Sequence, residues 1–132
     1  MLKFTKFAVA VSVTLLALTT ACSQPDQSHD TSTASQVALG SHLRQRGAKF
    51  YGTFWCQYCK QQKEMFGQQA FSKINYIECD PQGKNAQTDL CQKANIESFP
   101  TWEINGRLYK GLKPLDELAD LSSYKGDRNF KK

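Results

Sequence analysis

The chain lacks an apolar run long enough to cross a bilayer: the stretch from Phe7 to Leu18 holds about a dozen residues, where a spanning helix needs about twenty. It has no Arg-rich stripe, no aromatic platform for stacking bases and no glycine loop that would cradle a phosphate, so nothing points to nucleic acid or nucleotide as a ligand. Histidine is scarce. The two present, His29 and His42, have no partner pattern nearby and read as solvated surface residues rather than metal ligands or catalytic bases. Excess charge is also modest, because the net +5 falls to +3 if Lys3 and Lys6 leave with a leader segment.

What is there begins with that leader. Lys3 and Lys6, the short apolar run and the small residues after it form a secretory signal over residues 1–21, so the protein is expected to be exported into an oxidising compartment. Thr19-Thr20-Ala21-Cys22 is similar to a bacterial lipoprotein cleavage box, with Thr19 where leucine is usual. The resemblance implies that Cys22 carries lipid and holds the protein to a membrane in the periplasm or on the extracytoplasmic face; ordinary cleavage nearby is the alternative. Five cysteines are odd in number, and assigning Cys22 to lipid leaves four that pair off. Residues 22–35, rich in Ser, Thr, Gln and Asp, cannot bury surface and read as a flexible linker.

The centre of the chain is Phe50-Tyr51-Gly52-Thr53-Phe54-Trp55-Cys56-Gln57-Tyr58-Cys59-Lys60. An apolar, strand-like run gives way to polar, helix-compatible residues at the two cysteines, which places them at a strand-to-helix junction. The first turn of a helix offers unpaired N–H groups and a partial positive charge, both of which favour thiolate over thiol. Cys56 is therefore the expected nucleophile, and Cys59, one turn on, the expected resolving thiol. A CxxC alone also fits half a zinc site, a structural bridge or chance. Here Ser98-Phe99-Pro100-Thr101 follows, ahead of a hairpin, and with Trp55 before the first cysteine the chain resembles the thioredoxin superfamily. The resemblance implies a cis Pro100 lying against the active-site disulfide. It also implies that Trp55, Phe99, Pro100 and Thr101 support the site and dock an extended substrate segment. An ordinary trans proline opening an edge strand is the plainer reading.

Around that centre the patterning predicts a helix from Gln36 to Arg46 stopped by Gly47, a strand from Lys49 to Phe54, and a helix whose stripe is Cys59, Lys63, Phe66 and Ala70. A strand from Ile74 to Cys79 and a helix capped by Asn85 come next. Two strands flanking Asn105-Gly106 and a helix with Leu115, Leu118 and Leu121 on one side close the pattern. Lys49 reads as a solvated edge charge. The order is similar to thioredoxin and implies an α/β fold, a central mixed sheet of about four strands flanked by helices, over residues 36–124, with 125–132 a disordered basic tail.

Cys79 and Cys91 flank the Asp80-Pro81 turn, which folds the segment back, so a structural disulfide is expected between them. A second redox pair or two buried thiols are the alternatives. The runs Gly47 to Cys56, Glu78-Cys79, Asn85 to Thr88, Leu90-Cys91 and Phe99 to Gly106 narrow the likeness further. They resemble the thioredoxin-like domain fused to bacterial vitamin K epoxide reductase homologues. That resemblance implies disulfide exchange with protein thiols, a structural bridge matching Cys79 and Cys91, and either a separate quinone-linked membrane partner of the vitamin K epoxide reductase type or none. A monomer with no cofactor and no metal is expected. The competing class is a zinc-binding or non-catalytic protein-binding lipoprotein that uses Cys56, Cys59, Cys79 and Cys91 structurally. Thioredoxins also carry a buried Asp in the strand before the motif; Phe50 stands about there, which leaves the route of the Cys59 proton open.

Overall fold

The computed structural model of the chain describes residues 31–130. The leader, Cys22, His29 and most of the expected linker lie outside them. Along the chain run α1 (Ala34–Gln45), β1 (Lys49–Gly52), α2 (Gln57–Phe66), α3 (Gln68–Phe71), β2 (Asn75–Glu78), α4 (Thr88–Lys93), β3 (Thr101–Ile104), β4 (Arg107–Lys110) and α5 (Leu115–Leu121). The strands form one sheet in the order β2-β1-β3-β4, with β1 and β2 parallel and the other pairs antiparallel. This mixed sheet flanked by helices is a thioredoxin-like α/β arrangement.

Alternation along β1 divides the core in two, since successive side chains of a strand point to opposite faces. Phe50 faces a large cluster with Trp102, Ile104, Leu39, Leu43, Cys59, Phe66, Leu115 and Leu118, contributed by α1, α2, α5 and β3. Tyr51 faces a smaller one with Ile77 and Cys91, closed over by Leu90 and Ile96. The hairpin forms where Asn105-Gly106 predicts it, with φ of 51° and 74° at the two turn residues, the left-handed values such a turn requires.

The structure differs from the expected boundaries in several places. Helix α1 starts at Ala34, inside the expected linker, because Thr33 and Gln36 form a capping box: the Thr33 hydroxyl accepts the Gln36 N–H and the Gln36 side chain accepts the Thr33 N–H. Ser32 and Ser35 are buried, so the ordered unit begins before residue 36. Nor are residues 125–130 a free tail. Asp127 accepts a hydrogen bond from Ser35, Arg128 pairs with Asp120 at 2.8 Å, and Phe130 packs against the larger core cluster. The predicted helix after β1 is interrupted at Gly67, whose φ of 76° ends α2 and lets α3 start in a new direction. Asn85 does not cap α4; it sits in the preceding loop with φ of 55°, and the helix begins at Thr88. Lys49 lies on an interior strand rather than an edge and is bound to Glu103 at 3.1 Å. His42 is likewise engaged, its Nε2 lying 2.9 Å from the Ser122 carbonyl and its ring 5.2 Å from that of Tyr124.

Candidate functional site

Cys56 is the residue that caps α2. Its Sγ accepts the Cys59 backbone N–H at 3.1 Å, and its carbonyl accepts the N–H of Lys60. A sulfur in that position takes a hydrogen bond and the positive end of the helix dipole together, and both favour the thiolate when the pair is reduced. Cys56 and Cys59 form a disulfide with Cα atoms 5.2 Å apart. Their burial is unequal: Cys56 keeps 7% of its surface and Cys59 none, so of the two residues Cys56 is the one open to a partner.

Around this disulfide stands a rim of aromatic side chains. Phe54, Trp55 and Tyr58 are 59%, 61% and 60% exposed, an unusual outlay of apolar area on the surface of a small domain. Trp55 is held on two sides, by an edge-to-face contact with Phe99 at 6.4 Å and by its indole N–H, which donates to Asp80 Oδ2 at 2.7 Å. That indole hydrogen bond, with the Gln82 backbone N–H, holds the Asp80 carboxyl below the usual carboxylate range. The Phe99–Pro100 bond is cis. Phe99, Pro100 and Tyr58 line one groove of about 380 Å³ with Lys110 and Leu112. Thr101 is buried, and its hydroxyl donates to the Ser98 carbonyl at 2.8 Å, so it braces the turn rather than facing the groove. The hydroxyl of Thr53, three residues before Cys56, is buried without a hydrogen-bond partner.

Cys79 and Cys91 form a second disulfide, Cα atoms 5.8 Å apart, which ties the end of β2 to α4 on the opposite face of the sheet. The four sulfurs are thus held as two separate pairs rather than gathered round one point. No group of three or more His, Cys, Asp or Glu suited to a metal occurs among the described residues.

Several residues beside the site escaped the sequence reading. Gln62 is fully buried on α2; its Oε1 accepts from the Trp102 indole at 3.2 Å and from the Lys113 N–H at 2.9 Å, while its Nε2 donates to the Lys113 carbonyl. Lys63, placed on the inward stripe, is half-buried with its ammonium 4.1 Å from the centre of the Tyr76 ring. Burial lowers its pKa below the ordinary value, and the negative charge of Glu78 partly offsets this. Tyr76 donates to Glu78 at 2.7 Å, and burial first, then that carboxylate, raises the phenol well above its usual range. Glu78 itself is 4% exposed. Period-two spacing of Ile74, Tyr76 and Glu78 would have placed the acid on the inner face beside Phe50.

Fold and site together define a thioredoxin-like domain that presents a CxxC disulfide at the start of a helix. In sequence the chain is 45% identical over 95 residues to the thiol-disulfide oxidoreductase LTO1 of Arabidopsis thaliana, an alignment taking in 70% of this chain and 25% of that protein. The chain therefore spans about a quarter of the length of this curated relative. No protein-family model matches it.

Proposed function

We propose that the chain is a thiol–disulfide oxidoreductase that trades disulfides with protein substrates through Cys56 and Cys59. The observation that carries this reading is slightly exposed Cys56 at the α2 N-terminus, its sulfur hydrogen-bonded there and joined to a fully buried Cys59. The likeness to a thiol-disulfide oxidoreductase supports it independently. In the reducing direction the Cys56 thiolate attacks a client disulfide and forms a mixed disulfide. Cys59 then attacks the Cys56 sulfur and releases the client thiol, and the reverse sequence oxidises a client. Trp55, Phe99 and Pro100 form the platform on which an extended client segment lies, with Thr101 bracing the turn beneath it.

In its fuller form the proposal places the domain outside the cytoplasm, where its leader-like start would send it, tethered through lipid on Cys22 and acting as a monomer. Its partner there is a quinone-linked membrane protein of the vitamin K epoxide reductase type, in keeping with the sequence resemblance described above. Cys79–Cys91 is the structural bridge of this scheme.

Replacing Cys59 by serine is expected to trap mixed disulfides at Cys56, visible as reductant-sensitive adducts, and replacing Cys56 is expected to abolish them together with dithiol turnover. An unchanged turnover in the Cys56→Ser protein would overturn the reading. Adducts trapped from membrane and from soluble extracts, identified by mass, test the membrane partner separately.

A further inference from the structure

Phe99 stands between two grooves. One is the groove of about 380 Å³ beside the Cys56–Cys59 pair, which also holds Tyr58 and Lys110. The other, of about 650 Å³, is walled by Ile96, Glu97 and the α4 residues Cys91 and Gln92, and reaches the second disulfide. Phe99 is the residue common to both walls, and neither its N–H nor its carbonyl is hydrogen-bonded within the described residues. A client segment that crosses Phe99 beside the disulfide therefore runs from one groove into the other.

Among the described residues, two charged side chains line these grooves. Lys110, at the end of β4, lines the smaller, and Glu97, just ahead of Phe99, lines the larger. They meet at 2.6 Å, with 58% and 73% of their side chains exposed. An ion pair so open to water adds little to stability. Neither group is used up by the other, because an ammonium carries three donors and a carboxylate accepts several hydrogen bonds. The hydrogen bond from Lys110 and its charge hold the Glu97 carboxyl below the usual carboxylate range, so both groups are charged at neutral pH.

We propose that Glu97 and Lys110 select the clients of the exchange reaction: polypeptides with an acidic residue on one side of the reactive cysteine, set against Lys110, and a basic residue on the other, set against Glu97. The inference rests on the exchange reading above. A client of this order completes an alternating set of four charges across Phe99, whereas the reverse order brings like charges together in both grooves. Complementary charges at a rim act on selectivity and encounter more than on raw affinity. A mismatched client is turned away by repulsion as well as by the attraction it lacks.

The test uses the full chain carrying Cys22→Ser, with Cys56 and Cys59 reduced, and short peptides whose single cysteine is joined by a disulfide to an aromatic thiol that is coloured once released. One peptide carries Asp before the cysteine and Lys after it, a second has the reverse order, and a third has serine at both places. One charged order is expected to react at least about fivefold faster than the other at low salt, the scale of two exposed charge contacts that change sign together. The serine peptide should fall between them, and high salt should close the gap. The Glu97→Lys, Lys110→Glu protein keeps an ion pair but reverses its sense, and is expected to invert the preference. Glu97→Gln with Lys110→Gln is expected to erase it, and carries the decision if the swapped protein does not fold. A pair that only ties the Phe99 loop to β4 would leave the ranking of peptides the same in every variant. That result, or equal rates for the three peptides in the parent protein, overturns the proposal and leaves the exchange reading in place. A parent protein that releases no thiolate from any peptide overturns the exchange reading, and this proposal with it.

Discussion

The indole N–H of Trp55 and the carboxylate of Asp80 meet at 2.7 Å, joining the residue before Cys56 to the residue after Cys79. Beyond the strand pairing that ends at Gly52 and Cys79, this side-chain contact couples the aromatic rim to the turn fastened by the second disulfide. Replacing Asp80 by alanine is expected to free the ring. Emission from Trp55 should shift while buried Trp102 stays as it is, and exchange with a peptide disulfide should slow several-fold with little change in the thermal midpoint. Because the Asp80 carboxyl is held below its usual range, the same loosening is expected in the native protein only as pH falls through that lowered value. Stopped-flow exchange rates and tryptophan emission across the acid range check both.

Removing the Cys79–Cys91 bridge should act on stability and not on chemistry. The bridge spans 12 residues, and closing a loop of that size in the unfolded chain is worth about 3 kcal/mol. A Cys79→Ser, Cys91→Ser protein is expected to lose about that much in urea unfolding while keeping dithiol turnover at Cys56. Loss of turnover in a folded double variant would instead assign the pair a part in electron transfer.

Gln62 offers a packing test. Leucine in its place fills the volume but leaves the buried Trp102 indole without a partner, at about 1–3 kcal/mol, and the half-buried Lys113 amide groups as well, at less. The expected loss is at least about 2 kcal/mol by chemical unfolding, with Cys56 reactivity retained.

Two groups on neighbouring strands contribute to the dependence of stability on pH. Burial would push Glu103 upward, but the Tyr51 hydroxyl and the Lys49 ammonium outweigh it and hold its pKa below the ordinary 4.5. Its contribution is therefore complete above the unfolded value and is lost as pH falls through the lowered folded one. Tyr51 is shifted the other way, raised above 10.0 by burial and then by Glu103, so its contribution is complete below 10.0 and is lost as pH rises beyond it. Glu103→Gln should flatten the acid side of the stability curve and Tyr51→Phe the alkaline side, as measured by urea midpoints from pH 3 to 11.

These relationships also show what a reader of the sequence could and could not see. The CxxC junction and the Asn105-Gly106 hairpin were legible because each is written in adjacent residues: an apolar run turning polar, and a pair tolerant of positive φ. Pairing of Cys79 with Cys91 was legible because a turn lies between them. Gln62 was not, since a glutamine on a helix reads as surface until partners 40 and 51 positions away are known. Asp127 with Ser35, 92 positions apart, is the same problem, and a basic tail gave no hint of it. The Thr33 to Gln36 capping box could have been read, but its Ser- and Thr-rich surroundings suggested a linker. Glu78 was not legible, since an acid at the end of a strand reads as surface until the Tyr76 hydroxyl that binds it is seen on the same inner face.

Ser32 has a consequence for how the domain would stand on anything that holds it. Its hydroxyl accepts the Ala70 N–H at 2.8 Å and it lies against Gly67, where α2 ends, whereas Cys56 marks where α2 begins. The length of that helix, about 15 Å for its ten residues, separates the point where the preceding chain arrives from the reactive sulfur. A domain moored by its N-terminal side would carry its dithiol on the outboard end, swinging toward whatever approaches rather than pressed against the mooring.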